Sequence, residues 1–363
     1  MKIIFANRHD CFSRLGGDTT QMILTKKYLE KLFNLSIDIV LSPEELKTKT
    51  FDILHVFNIV TYSDSAAIID AAYRKDCKIV LSPIYWDRGF GISYYGLTKF
   101  NLFRPRSFYR YLKDPILAYE KLLSKESYGS AYYRRSITRI LTLTDLLLPN
   151  SKEEYEIIQN HFPLTPERKY LIVPNAFELP SYNDQCVVSK DEKLVIHVGR
   201  ISPLKNQLGT LSALYKETDY SIIFIGKVED KHYYDYLYRK AQKRGNVEFI
   251  DEIPNEEVTG YYKKAKVHVL PSFGETTGLV SLEAFYYGCE IVVSDYRFLP
   301  VDYYRFKEIA HICNPYNVGS ITASIRDALN HPKQGMVNKD EYFSFFNYET
   351  VARMTYEAYR LLL

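Results

Sequence analysis

Two carboxylates and two cations stand out by their spacing. Glu275 and Glu283 lie with seven residues between them within Pro271-Ser272-Phe273-Gly274-Glu275-Thr276-Thr277-Gly278-Leu279-Val280-Ser281-Leu282-Glu283. Arg200 and Lys205 stand in Gly199-Arg200-Ile201-Ser202-Pro203-Leu204-Lys205-Asn206. Two cations at a strand's carboxyl end, close to a helix N-terminus, suit a diphosphate and stabilise it as a leaving group. Taken singly, each group is an ordinary solvated side chain. Taken together, they look like one site, in which the cations would hold a diphosphate.

The elements around them must hold these groups in place. Lys266 to Ser294 reads as strand, polar loop, helix and strand. Val267–Leu270 is a β-branched run, Gly278 opens the helix, the helix ends near Gly288, and Glu290–Ser294 is the return strand. That is a βαβ unit, whose ligands sit at the carboxyl ends of its strands. Strands are expected also at Leu194–Val198, just before Arg200, and at Ser221–Ile225 and Val247–Ile250.

An earlier series has strands at Lys2–Ala6, Ser36–Leu41, Ile53–Phe57, Lys78–Pro83, Leu146–Pro149 and Tyr170–Val173. Helices are expected between them, among them Ser65–Arg74 and Lys152–Asn160. This alternation predicts α/β architecture: two Rossmann-like, doubly wound domains facing across a cleft. The expected domains are 1–177 and 178–345, with a linker rich in Pro, Ser, Asn and Asp over Pro174–Asp191. In the first domain Gly16-Gly17 precede a helix whose Met22, Leu24, Tyr28, Leu29 and Leu32 recur at helical spacing. Those glycines are either an anion cradle or a plain turn with Asp18 or Thr19 as N-cap. His55 and Asn58 at one strand end, and Tyr85 and Asp87 after another, are candidates on the acceptor side.

Composition sets the remaining bounds. The 363 residues exceed one ordinary core, so two domains are expected. Five scattered cysteines without a C-x-x-C pair argue for a reducing compartment and against zinc. The net charge of +3 implies no partner. No run reaches the ~18 apolar residues of a membrane span, and the N-terminal stretch meets charge too early for a signal peptide. The expected location is cytoplasmic. The stretch 88–139 holds eleven basic residues against three acidic ones, threaded with aromatics. It is either a solvated insert or a surface for anionic lipid or a phosphorylated acceptor, which would make the membrane contact peripheral. No nucleic-acid module accompanies it. G-x-G-x-x-G and Walker fingerprints are absent.

The motifs together resemble the retaining GT-B glycosyltransferases of family 4, the glycogen-synthase-like group. The resemblance rests on V-G-R-x4-K at Val198–Lys205, the Pro271–Cys289 run, V-P-N at Val173–Asn175, Gly16-Gly17 and D-I-L-H-V-F-N at Asp52–Asn58. The final NYETVARMTYEAYRLLL is similar to that group's last helix, which implies that residues 346–363 pack back on the N-terminal domain. The resemblance implies a nucleotide-sugar donor, with UDP the expected nucleotide, and a saccharide or lipid-linked saccharide acceptor. It implies that Arg200 and Lys205 bind the diphosphate, Glu275 the sugar hydroxyls and Glu283 the ribose. Thr277 and the N–H groups of Gly278, Leu279 and Val280 would complete the phosphate site, and Gly16 and Gly17 would close on it. Arg200, Lys205 and Glu275 are the expected catalytic residues. No metal or resident cofactor is implied, because D-x-D is missing and the leaving phosphate can itself accept the acceptor's proton. The chain departs from the group where relatives carry a histidine near the sugar. Here Ser82–Asp87 reads SPIYWD, and Tyr85 or Asp87 is expected to take part of that role. A synthase with a soluble acceptor, or a silent sugar-nucleotide-binding partner of another transferase, are the alternatives.

Overall fold

The structure is a computed structural model describing residues 1–87, 131–163, 167–180 and 189–363. The chain divides into two compact units. The first comprises Met1–Trp86, the described residues of Arg104–Leu179, and Ser344–Leu363; the second comprises Asp87 and the described residues of Pro180–Phe343.

The first unit carries a parallel sheet of β1 (Ile3–Ala6), β2 (Ile37–Val40), β3 (Ile53–Phe57), β4 (Lys78–Ser82) and β5 (Leu146–Leu147). Their order is β2-β1-β3-β4-β5. Parallel sheets are covered on both faces, which is why these strands read as apolar runs rather than alternating ones. Ile4, Leu54, Val56, Ile79 and Leu81 pack toward Ile68, Ile69, Ile137, Ile140 and Ile158, on helices Tyr62–Ala72, Ala131–Leu143 and Lys152–His161. On the opposite face Ile3, Phe5, Ile53, Phe57 and Val80 meet helices Gly17–Phe33 and Tyr348–Arg360. Helix Tyr348–Arg360 starts at Asn347, whose side chain accepts from the Thr350 N–H at 2.9 Å. Its buried Tyr348, Val351, Ala352, Thr355, Ala358 and Tyr359 form one stripe, and Tyr356 stacks on Phe33 at 3.9 Å. The expected return of the final segment onto the first unit is therefore observed.

The second unit orders β6 (Asp191–Val198), β7 (Ser221–Ile225), β8 (Val247–Ile250), β9 (Ala265–Leu270), β10 (Glu290–Ser294) and β11 (Ala310–Cys313) as β11-β10-β9-β6-β7-β8. All its pairings are parallel. This is the doubly wound order in which the chain runs outward one way from its first strand, then restarts on the first strand's other side. The switch point lies between β6 and β9, and ligands of such sheets bind outside the carboxyl ends there.

One expectation needs correction, one strand is added, and two stretches stand apart. Tyr170–Val173 is not a named strand: only Tyr170 forms a bridge, to Leu147, although Leu171 and Val173 donate to Leu147 and Pro149 at 3.0 Å each. β11 was not anticipated. Residues 88–130 of the basic stretch and 181–188 of the linker lie outside the described residues. Among the described residues, no helix is long and apolar enough to cross a membrane.

Candidate functional site: loops at the switch point of the second unit

The loops that follow β6 and β9 carry Arg200, Lys205 and Glu275, three of the four charged residues singled out by spacing; Glu283 stands on the helix after the second loop. Strand pairing (Val195 with Val267, Ile196 with His268) brings the two loops side by side. They are then bonded together. The Phe273 N–H donates to Leu204 O at 2.8 Å, and Asn206 Nδ2 donates to Pro271 O and Pro315 O at 3.0 Å each. The Glu275 N–H donates to Phe298 O at 2.7 Å, tying the same loop to the one after β10. A carboxylate carried on a loop held at three points is pre-organised.

Lys205 Nζ meets Glu275 Oε1 at 2.5 Å, with the side chains only 15% and 13% exposed. The lysine stem passes beside Gly199, whose φ of +147° is a backbone conformation that favours glycine. Arg200 turns to Glu229 at 2.9 Å and stays about half exposed. Gln207 Nε2 donates to Arg200 O at 2.9 Å, which fixes the turn beneath both cations. Gly226 presses on this turn from the loop after β7. Its φ is +141°, and a Cβ there would lie 2.4 Å from Gly199 O. Sequence spacing found Arg200, Lys205 and Glu275; Glu229 carried no signal, since its contact spans two separate loops.

Helix Leu279–Tyr286 begins at Gly278, with φ +76° in the left-handed region and Leu299 Cδ1 3.0 Å from where a Cβ would sit. Leu279 and Val280 are first-turn residues whose N–H groups have no partner within the helix. Thr277 is buried, its hydroxyl 3.4 Å from Tyr304 Oη. Glu283, one turn on, accepts from Tyr262 Oη at 3.4 Å. Burial pushes its carboxyl up to about 7, against the lowering effect of that hydrogen bond. A desolvated carboxylate with one long bond has acceptor capacity to spare for hydroxyl donors. Beneath the helix, His268 accepts from the Val198 N–H at 3.4 Å and meets Ser281 Oγ at 3.5 Å. Burial lowers its pKa to about 3, so it joins β6, β9 and the helix as a neutral ring.

In the first unit, the loops after β1 and β3 meet at that sheet's own switch point. Gly16 is the N-cap of helix Gly17–Phe33, in extended conformation and without a side-chain cap. Neither Asp18 nor Thr19 is the cap. Asp18 lies in the first turn, its carboxylate bonded by Arg8 Nε at 2.9 Å and Asn58 Nδ2 at 3.1 Å. Arg8 also pairs with Asp10 at 2.6 Å and reaches Arg14 O, so the loop ahead of Gly16-Gly17 is folded around one guanidinium. Arg8 was not anticipated, and Asp18 only as a possible N-cap; a charge just after the first strand was the available signal.

Two acceptor-side candidates turn inward. His55 is 1% exposed, with Nδ1 2.6 Å from Tyr359 Oη and Nε2 2.9 Å from Ser82 Oγ. Burial lowers its pKa to about 3, so it is a neutral core residue rather than a ligand group. Tyr85 is 1% exposed and places its hydroxyl 2.8 Å from His161 Nδ1. Asp87 is half-buried and Asn58 bonds Asp18 as above. Among the described residues, no group of three or more His, Cys, Asp or Glu side chains could hold a metal.

Residues 182–344 match the model of the family described as glycosyl transferases group 1. The D-inositol 3-phosphate glycosyltransferase of Corynebacterium glutamicum (strain R) is 26% identical over 177 residues, 43% of this chain and 42% of that protein. The chain thus matches less than half the length of this curated relative. Among solved structures, the sucrose-phosphate synthase of Thermosynechococcus elongatus superposes with a TM-score of 0.76 at 14% identity, covering 100% of this chain and 99% of the other. Anabaena Alr3699/HepE, crystallised with UDP and glucose, gives 0.68 at 14% identity and 99% coverage of each chain. These neighbours share the two-unit α/β architecture, the GT-B fold. Residues 182–344, which contain both switch-point loops, are thus similar to the glycosyl transferases group 1 family.

Proposed function

We propose that the protein is a retaining glycosyltransferase. It moves a sugar from a nucleotide-sugar donor, UDP-linked, to a saccharide or lipid-linked saccharide in polysaccharide or glycolipid assembly. The observation that carries this reading is the Lys205–Glu275 pair, formed between the loops of β6 and β9 where the sheet changes direction. A diphosphate entering there meets Lys205, Arg200 and the first-turn N–H groups of helix Leu279–Tyr286. Glu275, released in part from Lys205, accepts from hydroxyls of the transferred sugar. Glu283, one turn into the helix whose start faces the phosphates, accepts from the ribose.

In the transfer, the acceptor oxygen bonds to the anomeric carbon as the bond from that carbon to the phosphate oxygen breaks. The acceptor's proton passes to the departing phosphate on the same face. The protein supplies orientation and charge stabilisation for the leaving group, and no metal or resident cofactor enters the step. Peripheral contact with an anionic membrane through the basic stretch belongs to the same proposal. Tyr132, Arg134, Arg135 and Arg139, on its described part, are exposed. A panel of UDP-, GDP- and ADP-sugars assayed by nucleotide release tests the reaction. Release from none of them, with UDP still bound, would replace it with a silent binding partner. Flotation with vesicles of anionic and of neutral lipid tests the membrane contact, and equal failure with both would remove it.

A further inference from the structure

The loop after β4 contains a conformation that a β-branched residue does not adopt unaided. Ile84 has φ +50°, in the left-handed region where its branched Cβ crowds the backbone. Strain of this kind persists only where the surroundings over-determine it. Here they do. Glu154, fully buried on helix Lys152–His161, accepts from the Tyr85 N–H at 2.7 Å with one carboxylate oxygen. It accepts from the Asn150 N–H at 2.6 Å with the other, and the Ile84 N–H faces it as well. The same helix receives the Tyr85 hydroxyl at His161, and Pro83 O accepts from the Ile59 N–H at 2.9 Å. Asn150 Oδ1 in turn accepts from Gln21 Nε2 at 2.8 Å, linking this cluster to the helix that follows Gly16-Gly17. A buried acid held by backbone N–H groups is expensive to keep and is not required for helix capping, because Ser151 already caps this helix through its bond from the Glu154 N–H.

We propose that Glu154 is a positioning residue: its carboxylate clamps the Ile84–Trp86 turn in its left-handed conformation and so sets the substrate-side loop that leads to Asp87. The functional part rests on the transferase reading, in which the carboxyl end of β4 lies on the acceptor side. The conformational part does not. Trp86 is the chain's single tryptophan and is buried beside Tyr85, so tryptophan emission comes from this turn.

The test compares wild type with Glu154→Gln, and with Glu154→Gln combined with Ile84→Gly, using the full chain. An amide has one acceptor oxygen and one NH2, so it leaves one of the two backbone N–H groups facing a donor. Glu154→Gln should red-shift Trp86 emission and make it more open to acrylamide quenching. On whichever donor the panel selects, turnover should fall about tenfold through misplacement of the loop, with the Kd for UDP changed less than about twofold. Glycine adopts φ +50° without help, so adding Ile84→Gly to Glu154→Gln should restore both emission and turnover. Unchanged Trp86 emission in Glu154→Gln overturns the proposal, as does altered emission that glycine fails to restore. Failure of both variants to fold also overturns it, since the carboxylate would then hold more than the turn. If wild type releases nucleotide from no donor, the transferase reading fails while the emission arms still decide the clamp.

Discussion

Replacing Glu275 by Gln should tighten the binding of UDP, although the same change should slow turnover. Glu275 Oε1 lies 2.5 Å from Lys205 Nζ, and neither side chain is more than 15% exposed. A phosphate oxygen accepted on the other side of that ammonium would sit roughly 5 Å from the carboxylate oxygen, from two hydrogen-bond lengths meeting at a tetrahedral nitrogen. Two unit charges at that separation repel by about 3 kcal/mol at an effective dielectric of ~20. Residual exposure and ionic screening reduce this to about 1–2 kcal/mol. Removing the negative charge while keeping an acceptor for Lys205 should therefore strengthen UDP binding by about 5–30-fold. Lys205→Met acts in the opposite sense. It deletes a charge-assisted hydrogen bond of about 1.5–3 kcal/mol and leaves Glu275 facing the phosphates, for a loss of at least about tenfold. Calorimetric titration with UDP at physiological salt, above the pH at which Glu283 ionises, measures both. Weaker UDP binding in Glu275→Gln, or unchanged binding in Lys205→Met, would refute a phosphate site centred on this pair.

Three further outcomes are expected. Gly226→Ala, with φ +141° and a Cβ 2.4 Å from Gly199 O, should destabilise the protein by about 2–4 kcal/mol, read as a lower denaturant midpoint. Burial raises the Glu283 carboxyl from 4.5 to about 7, so UDP affinity should climb with pH through about 7 and Glu283→Gln should flatten that rise. The same shift acts on stability with the opposite sign: the unliganded native state keeps a proton the unfolded chain releases. Its contribution is full below about 4.5 and lost as pH rises to about 7. Tyr359→Phe leaves the buried His55 Nδ1 without its partner at 2.6 Å and should cost about 1–2 kcal/mol in thermal or denaturant unfolding.

The second unit was legible because its physics is local in sequence. Buried parallel strands are apolar runs, and the groups that matter stand in the loop directly after each run: Arg200 and Lys205 after β6, Glu275 after β9. β11 escaped because His311 and Cys313 interrupt its apolar pattern. The structure accommodates His311 by pairing it with Asp327 at 2.7 Å, a contact no window of sequence displays. The first unit was less legible because its loops are shaped by charges that meet across the fold. Arg8 reaches Asp18 ten positions on, Glu154 reaches Tyr85 across sixty-nine, and His55 reaches Tyr359 across three hundred and four. Polar residues at strand ends looked like ligand groups, and His55 and Tyr85 prove to be satisfied from within. Tyr262 beneath Glu283 was hidden likewise, since its helix reads as an ordinary amphipathic segment.

That His55–Tyr359 bond has a consequence for synthesis. Helix Tyr348–Arg360 covers one face of the first unit's sheet, yet it leaves the ribosome only after the whole of residues 180–343. The unit begun first is thus completed last. Until then Ile3, Phe5, Ile53 and Phe57 lack part of their cover, while the later-made sheet can close on contacts within its own span. Apolar surface left open over such an interval invites association between nascent chains and binding by chaperones. Loss of residues 344–363 should accordingly damage the part of the protein farthest from them in sequence, leaving the second unit's sheet the better preserved of the two.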